Sequence, residues 1–141
     1  MKYFIPAFIV MILIYFFSAM PSDESSLQHS RVIAFFAYLG IDLFQILGSN
    51  AVFWVRKTAH FIIFGTLSLT YFYGFLKNQI PRTFLLAFLF TFFYAITDET
   101  HQYFVPGRSA QYTDVLIDSL GALFFLSIAQ LLLSYHKAQS P

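Results

Sequence analysis

The sequence predicts an all-α fold: a polytopic membrane bundle of about four transmembrane helices with one further interfacial or re-entrant helix. Three observations predict it. Hydrophobic residues make up 58% of the 141 positions and charged residues only 11%. Soluble domains carry about a quarter charged residues, so too few charges are present here to cover a water-facing surface. Mean hydropathy is +0.67, and the apolar residues fall in runs close to the roughly 20 that cross a hydrocarbon core. The 20 Phe and 9 Tyr suit lipid-facing and interfacial positions.

The first predicted span covers residues 3–20, YFIPAFIVMILIYFFSAM. It follows Lys2 alone and has the outline of a signal peptide. Its apolar run is long, though, and Phe17, Ser18, Ala19 and Met20 lack a small-x-small cleavage pattern, so it reads as a retained helix. Residues 21–31, PSDESSLQHSR, are polar and are expected outside the hydrocarbon. In residues 32–55 a stripe of Val32, Phe35, Phe36, Leu39, Leu43 and Leu47 is interrupted by Asp42 and Gln45 and broken at Gly48-Ser49-Asn50. That pattern predicts a helix lying in the interface rather than one that spans. The second span is expected over 58–76, with a short turn at Lys77, Asn78, Gln79, Pro81 and Arg82. The third covers 83–104 and ends at Pro106-Gly107, where Pro presets φ and Gly tolerates positive φ. The fourth covers 111–135, and 136–141 is a short polar tail. Gly65, Gly74 and Gly121 are expected to let helices approach closely. The whole chain, 1–141, reads as one domain.

The ends of the spans gather the charges. Arg56, Lys57 and His60 lie at the start of the second span. Asp98, Glu99, His101 and Gln102 lie at the end of the third, Arg108 in the next loop, and Asp114 and Asp118 in the first turns of the fourth. The second and third spans form a hairpin, so all these residues meet at one end of the bundle. Arg56, His60 and Phe64 share one helical stripe, as do Tyr94, Asp98 and Gln102; Asp114 and Asp118 share a face. A charge at the bilayer centre costs about 2.5 kcal/mol or more. Residues of this kind persist by facing one another or a wet cavity. With His60 neutral, three positive charges meet four negative ones, which allows near-complete pairing.

Three sequence blocks carry a family resemblance. Phe17-Ser18 with Pro21 and the Ser-rich stretch form the first. Arg56-Lys57-Thr58-Ala59-His60-Phe61 forms the second. The third is Asp98-Glu99-Thr100-His101-Gln102-Tyr103-Phe104-Val105-Pro106-Gly107-Arg108-Ser109, followed by Asp114-Val115-Leu116-Ile117-Asp118-Ser119-Leu120-Gly121. Together they resemble the VanZ-like family of bacterial membrane proteins over nearly the whole chain. Family members often carry a Glu and then a Tyr shortly after the His-Phe pair, where this chain has Ile63 and Phe64. The resemblance implies a multi-pass place in the bacterial cytoplasmic membrane and, through the family's founding member, a link to glycopeptide (teicoplanin-type) resistance. It supplies no mechanism.

Each candidate residue also has a structural explanation. Arg56 and Lys57 can anchor a helix by snorkelling. Asp114 can stabilise a helix N-terminus, worth about 0.3–1 kcal/mol. Asp118 can sit in an ion pair with Arg108 or Arg56, and Asp98 and Glu99 can complete a network with the arginines.

Two functional readings stand beside these. In the first, Arg56, Lys57 and Arg108, ordered by the carboxylates and by His60 and Gln102, hold an anionic group. That group belongs to a membrane lipid, a lipid-linked cell-wall precursor or a glycopeptide. In the second, the chain is an enzyme acting on a lipid or lipid-linked substrate, with His60, Asp98 or Glu99 as acid or base and Arg108 stabilising negative charge. A proton-coupled transporter is a third reading, for which four short spans leave little room.

No cofactor is expected from any motif. A divalent metal held by His60, His101 and the four carboxylates has enough donors but no recognised spacing. The absence of Cys removes thiolate chemistry, and the net charge of +1 gives no reason to expect a nucleic-acid partner. Basic residues tie at four against four across the membrane. Setting aside Arg56, Lys57 and Arg108 leaves Lys77 and Arg82 to mark the cytoplasmic side, which turns the cluster outward.

Overall fold

A computed structural model describes residues 2–108 and 110–139. Ser109 of the third block and the last two residues of the tail lie outside the described residues. A 3-10 turn, Lys2–Phe4, leads into six α-helices: α1 Ile5–Ser18, α2 Ser22–Tyr38, α3 Leu43–Leu47, α4 Ala51–Lys77, α5 Thr83–Tyr103 and α6 Tyr112–Gln139. No strand occurs among the described residues. Three segments are long and apolar enough to cross a membrane: Leu43–Lys77, Thr83–Tyr103 and Tyr112–Gln139. A fourth exists if α1 and α2 together make one bent span.

Within the first 38 residues α1 falls inside the first expected span, and a second helix follows it directly. Residues 21–31, expected only to be polar and outside the hydrocarbon, are helical from Ser22 and form the opening turns of α2. Pro21, at ψ 155°, ends one helix and starts the next, and Asp23 and Glu24 occupy the favourable first turn. The two helix axes diverge by 112°. With its 14 residues, α1 is only about 21 Å long, shorter than a hydrocarbon core.

The interfacial helix expected over 32–55 is likewise divided. It comprises the end of α2, the short α3, a 3-10 turn at Gly48–Asn50 and the first turn of α4. Asp42, which looked like an intrusion in an apolar run, is the N-cap of α3. Its Oδ1 accepts from the backbone N–H of Phe44 at 2.9 Å and of Gln45 at 3.1 Å. Consequently α4 begins seven residues before Thr58, and Arg56 and Lys57 lie within a formed helix.

The core sits between α4, α5 and α6, where Phe64, Leu67, Ala87, Ala95 and Leu126 are fully buried. Against it, α1 packs Ala7 and Ile14, and the Tyr94 hydroxyl donates to the Met11 carbonyl at 2.7 Å. The outside is apolar: Phe16, Phe93 and Leu131 are each more than 60% exposed. An apolar surface on this scale belongs in lipid.

The tightest approach is between α4 and α6. A Cβ at Gly121 would lie 2.9 Å from the Phe61 carbonyl carbon and would also press on its oxygen. A backbone carbonyl cannot swing aside, so Gly121 sets the α4–α6 separation. Gly65 and Gly74 make room in the same way for the Phe125 and Phe4 rings.

Candidate functional site

The helix register explains which side chains meet. Residues 56, 57 and 60 sit on the first turns of α4. Residues 98 and 102, one turn apart, end α5. Residues 114 and 118, one turn apart, open α6. Because α4 and α5 are antiparallel neighbours and α6 returns from the same end, their side chains converge there.

They do not form one undivided cluster. Asp114, 1% exposed, accepts from Lys57 Nζ and lies 3.7 Å from Arg56 Nη2. Lys57 is therefore no snorkelling anchor: it is buried, and its Nζ also lies 5.1 Å from the Phe53 ring centre. Asp118, fully buried, pairs with neither arginine. Its Oδ1 is 3.2 Å from His60 Nδ1, and His60 in turn stacks on Phe64 at 6.2 Å between ring centres.

Gln102 joins what charge counting would have paired directly. Its Oε1 accepts from Arg56 Nη2 at 3.1 Å and from Arg108 Nη1 at 3.0 Å. Its Nε2 donates to Asp98 Oδ2 at 2.9 Å and reaches Ser18 Oγ at 3.5 Å. The amide can point only one way: guanidinium N–H groups need an acceptor and a carboxylate needs a donor. No ion pair within 4.0 Å links Asp98 to an arginine among the described residues.

Arg108 lies in the α5–α6 loop and fastens α1. Its Nε donates to the Met20 carbonyl at 2.8 Å and its Nη2 to the Phe17 carbonyl at 2.9 Å. Carbonyls at a helix C-terminus lack intrahelical donors and carry partial negative charge, so a cation is favoured there. Burial first, and the nearby Arg56 guanidinium second, push the Arg108 guanidinium below the ordinary arginine range. Two guanidiniums thus share one neutral oxygen, and neither makes a close carboxylate hydrogen bond.

A cavity of about 390 Å³ opens beside them between α1, α2 and α4. Arg56, His60 and Arg108 line one end with His29, Ser18 and Ser25. One to two turns deeper the walls are Ile14, Ile62, Ile63 and Phe64. His29, Ser25 and Gln28 were not singled out in the sequence, because a Ser-rich polar stretch carries no apolar stripe to place its side chains. The α1–α2 corner, pinned by Arg108 and by the Ser22 N–H donating to the Pro106 carbonyl at 3.4 Å, folds it back over the site. Glu99 stands apart. It lines a different groove between α5 and α6, and its Oε2 accepts from the Gln111 backbone N–H at 2.8 Å. Among the described residues no three His, Asp or Glu side chains are grouped to hold a metal ion.

The buried Lys57–Asp114 pair gives a stability test. Asp114→Asn should cost about 3–5 kcal/mol, because it leaves an ammonium buried without its countercharge. Combining it with Lys57→Met should recover most of the loss. Thermal unfolding in detergent measures both, and equal stability of Asp114→Asn and the parent would contradict the pairing.

No curated protein and no solved structure matches the chain. A family model described as VanZ/LLP1 matches residues 3–133, a stretch that holds all three sequence blocks and every side chain of the site. The chain belongs to the VanZ/LLP1 family.

Proposed function

We propose that the protein binds the anionic headgroup of a membrane amphiphile in the cavity between α1, α2 and α4. One observation carries this reading. The Arg56 and Arg108 guanidiniums meet on the Gln102 oxygen at the polar end of a cavity whose deeper walls are apolar. A phosphate offers the acceptors those donors favour, and acyl or isoprenoid chains suit Ile14, Ile62 and Ile63. The volume falls within the range of about 300–1,000 Å³ typical of small-molecule sites. Phospholipids and lipid-linked cell-wall precursors share this chemistry. Occupying or sequestering such a precursor, or a glycopeptide itself, at the outer leaflet would connect the site to glycopeptide resistance.

The enzyme reading narrows to His60. Its Nδ1 is held by Asp118 while the ring lines the same cavity, an arrangement that orients an imidazole as a general base. Asp98 lies behind Gln102 and Glu99 lines the other groove, so neither shares that position.

Titration with dihexanoyl phosphatidylglycerol in detergent tests the binding reading. Arg56→Gln should weaken binding at least tenfold, whereas Lys77→Gln, at the far end of α4, should leave it unchanged. Equal affinity of Arg56→Gln and the parent would overturn the reading. His60→Gln separates the two roles. Retained binding with loss of lipid turnover, followed by mass spectrometry, favours the enzyme; absence of turnover in the parent removes it.

Within a bacterial cytoplasmic membrane, Lys77 at the end of α4 and Arg82 before α5 favour an orientation with the charged end outward. The chain has no Cys, so Ser26→Cys and Pro81→Cys each supply a single thiol. In intact cells a membrane-impermeant maleimide should label the first and spare the second; the reverse would invert the topology.

A further inference from the structure

Separate from the cavity that the arginines line, α5 and the start of α6 enclose a groove of about 360 Å³. Its lining includes Glu99, Tyr103, Phe104 and Tyr112 and contains no Lys, Arg or His. Glu99 is 5% exposed. Its Oε2 is committed to the Gln111 backbone N–H at the approach to α6, which holds the carboxylate in place. Its Oε1 is buried and accepts no hydrogen bond. A buried carboxylate oxygen without a donor is costly, and a basic side chain would be the usual remedy.

The aromatic rings that line the groove are not buried within the bundle. Tyr103, Phe104 and Tyr112 are 70%, 76% and 81% exposed, and Tyr103 and Phe104 stand edge to face with ring centres 5.3 Å apart. Aromatic faces attract cations, and organic ammonium groups most usefully, because their hydration is cheap to remove. An alkali ion, by contrast, calls for several oxygen ligands, and Glu99 is the sole carboxylate in the lining.

We propose that the α5–α6 groove is a second site, built from Glu99 and the rings of Tyr103, Phe104 and Tyr112, that takes an organic ammonium group. It is independent of the anion cavity, which Glu99 does not line. The ammonium belongs either to a free amine or to a lipid headgroup that lies at the same depth as the charged end of the bundle.

Tetramethylammonium, followed by saturation-transfer NMR of its methyl groups in detergent, is the probe for the free form. Dihexanoyl phosphatidylcholine probes the lipid form. Saturable binding of the first supports a free amine, and of the second alone a headgroup. Glu99→Gln should weaken either at least tenfold. The amide oxygen can still accept from Gln111, so the start of α6 is retained. Should that variant not fold, Phe104→Leu, a change at an exposed ring, should weaken binding several-fold. The proposal is overturned if neither probe binds saturably, if Glu99→Gln and Phe104→Leu bind as the parent does, or if sodium competes at equal concentration. In any of those cases the exposed rings are an interfacial aromatic belt only.

Discussion

Every buried charge at the charged end of this bundle must find a partner within the bundle, because lipid supplies none. Gln102 is where that constraint is met most economically. One fully buried amide accepts from two guanidiniums and donates to a carboxylate. It thereby links α4, α5 and the α5–α6 loop in a single contact set. Through Arg108 the same set reaches the carbonyls of Phe17 and Met20 and holds the α1–α2 corner in place. The held corner folds α2 back toward α4 and so closes one side of the cavity, where Ile33 and Ser25 of α2 are buried.

The arrangement sorts the charges into three environments. Lys57 and Asp114 neutralise each other in the interior. His60 and Asp118 form a second pair one turn deeper. Arg56 and Arg108 are left with carbonyl-type oxygens and a more distant carboxylate. Both guanidiniums therefore line the polar end of the cavity. An amphiphile entering from the lipid would meet apolar walls along its chains and guanidiniums at its head, the order in which its own chemistry is laid out.

Much of this was legible in the sequence, and the limits are physical. Long apolar runs identified α4, α5 and α6, because the bilayer sets their length. Helical spacing placed Arg56 with His60, Asp98 with Gln102 and Asp114 with Asp118, since i and i+4 side chains share a face. Pairings across helices could not be read. The structural explanation for Asp118 was an ion pair with Arg108 or Arg56, whereas the register of α4 against α6, set by Gly121, presents it to His60. Gln102 was named among the ligand-binding residues, yet nothing in its spacing marks it as the shared acceptor of two arginines. The α1–α2 corner was not legible because α2 opens with SDESS, which carries no apolar stripe to mark a helix. Its N-terminus is instead supported by Pro21, by Asp23 and Glu24, and by a backbone contact with Pro106, which is remote in sequence. Glu99 was grouped with Asp98 as its neighbour in the chain. Consecutive helical residues point about 100° apart, and that angle sends the two carboxylates to different faces.

The most direct measurement is native mass spectrometry of the detergent-purified protein, released gently enough to keep bound lipid. If the paired arginines are an anion site, each chain should retain one phosphate-bearing amphiphile without a compensating ammonium, and Arg56→Gln should lose it. A parent protein that carries no lipid, or lipid retained equally by Arg56→Gln, would contradict the account.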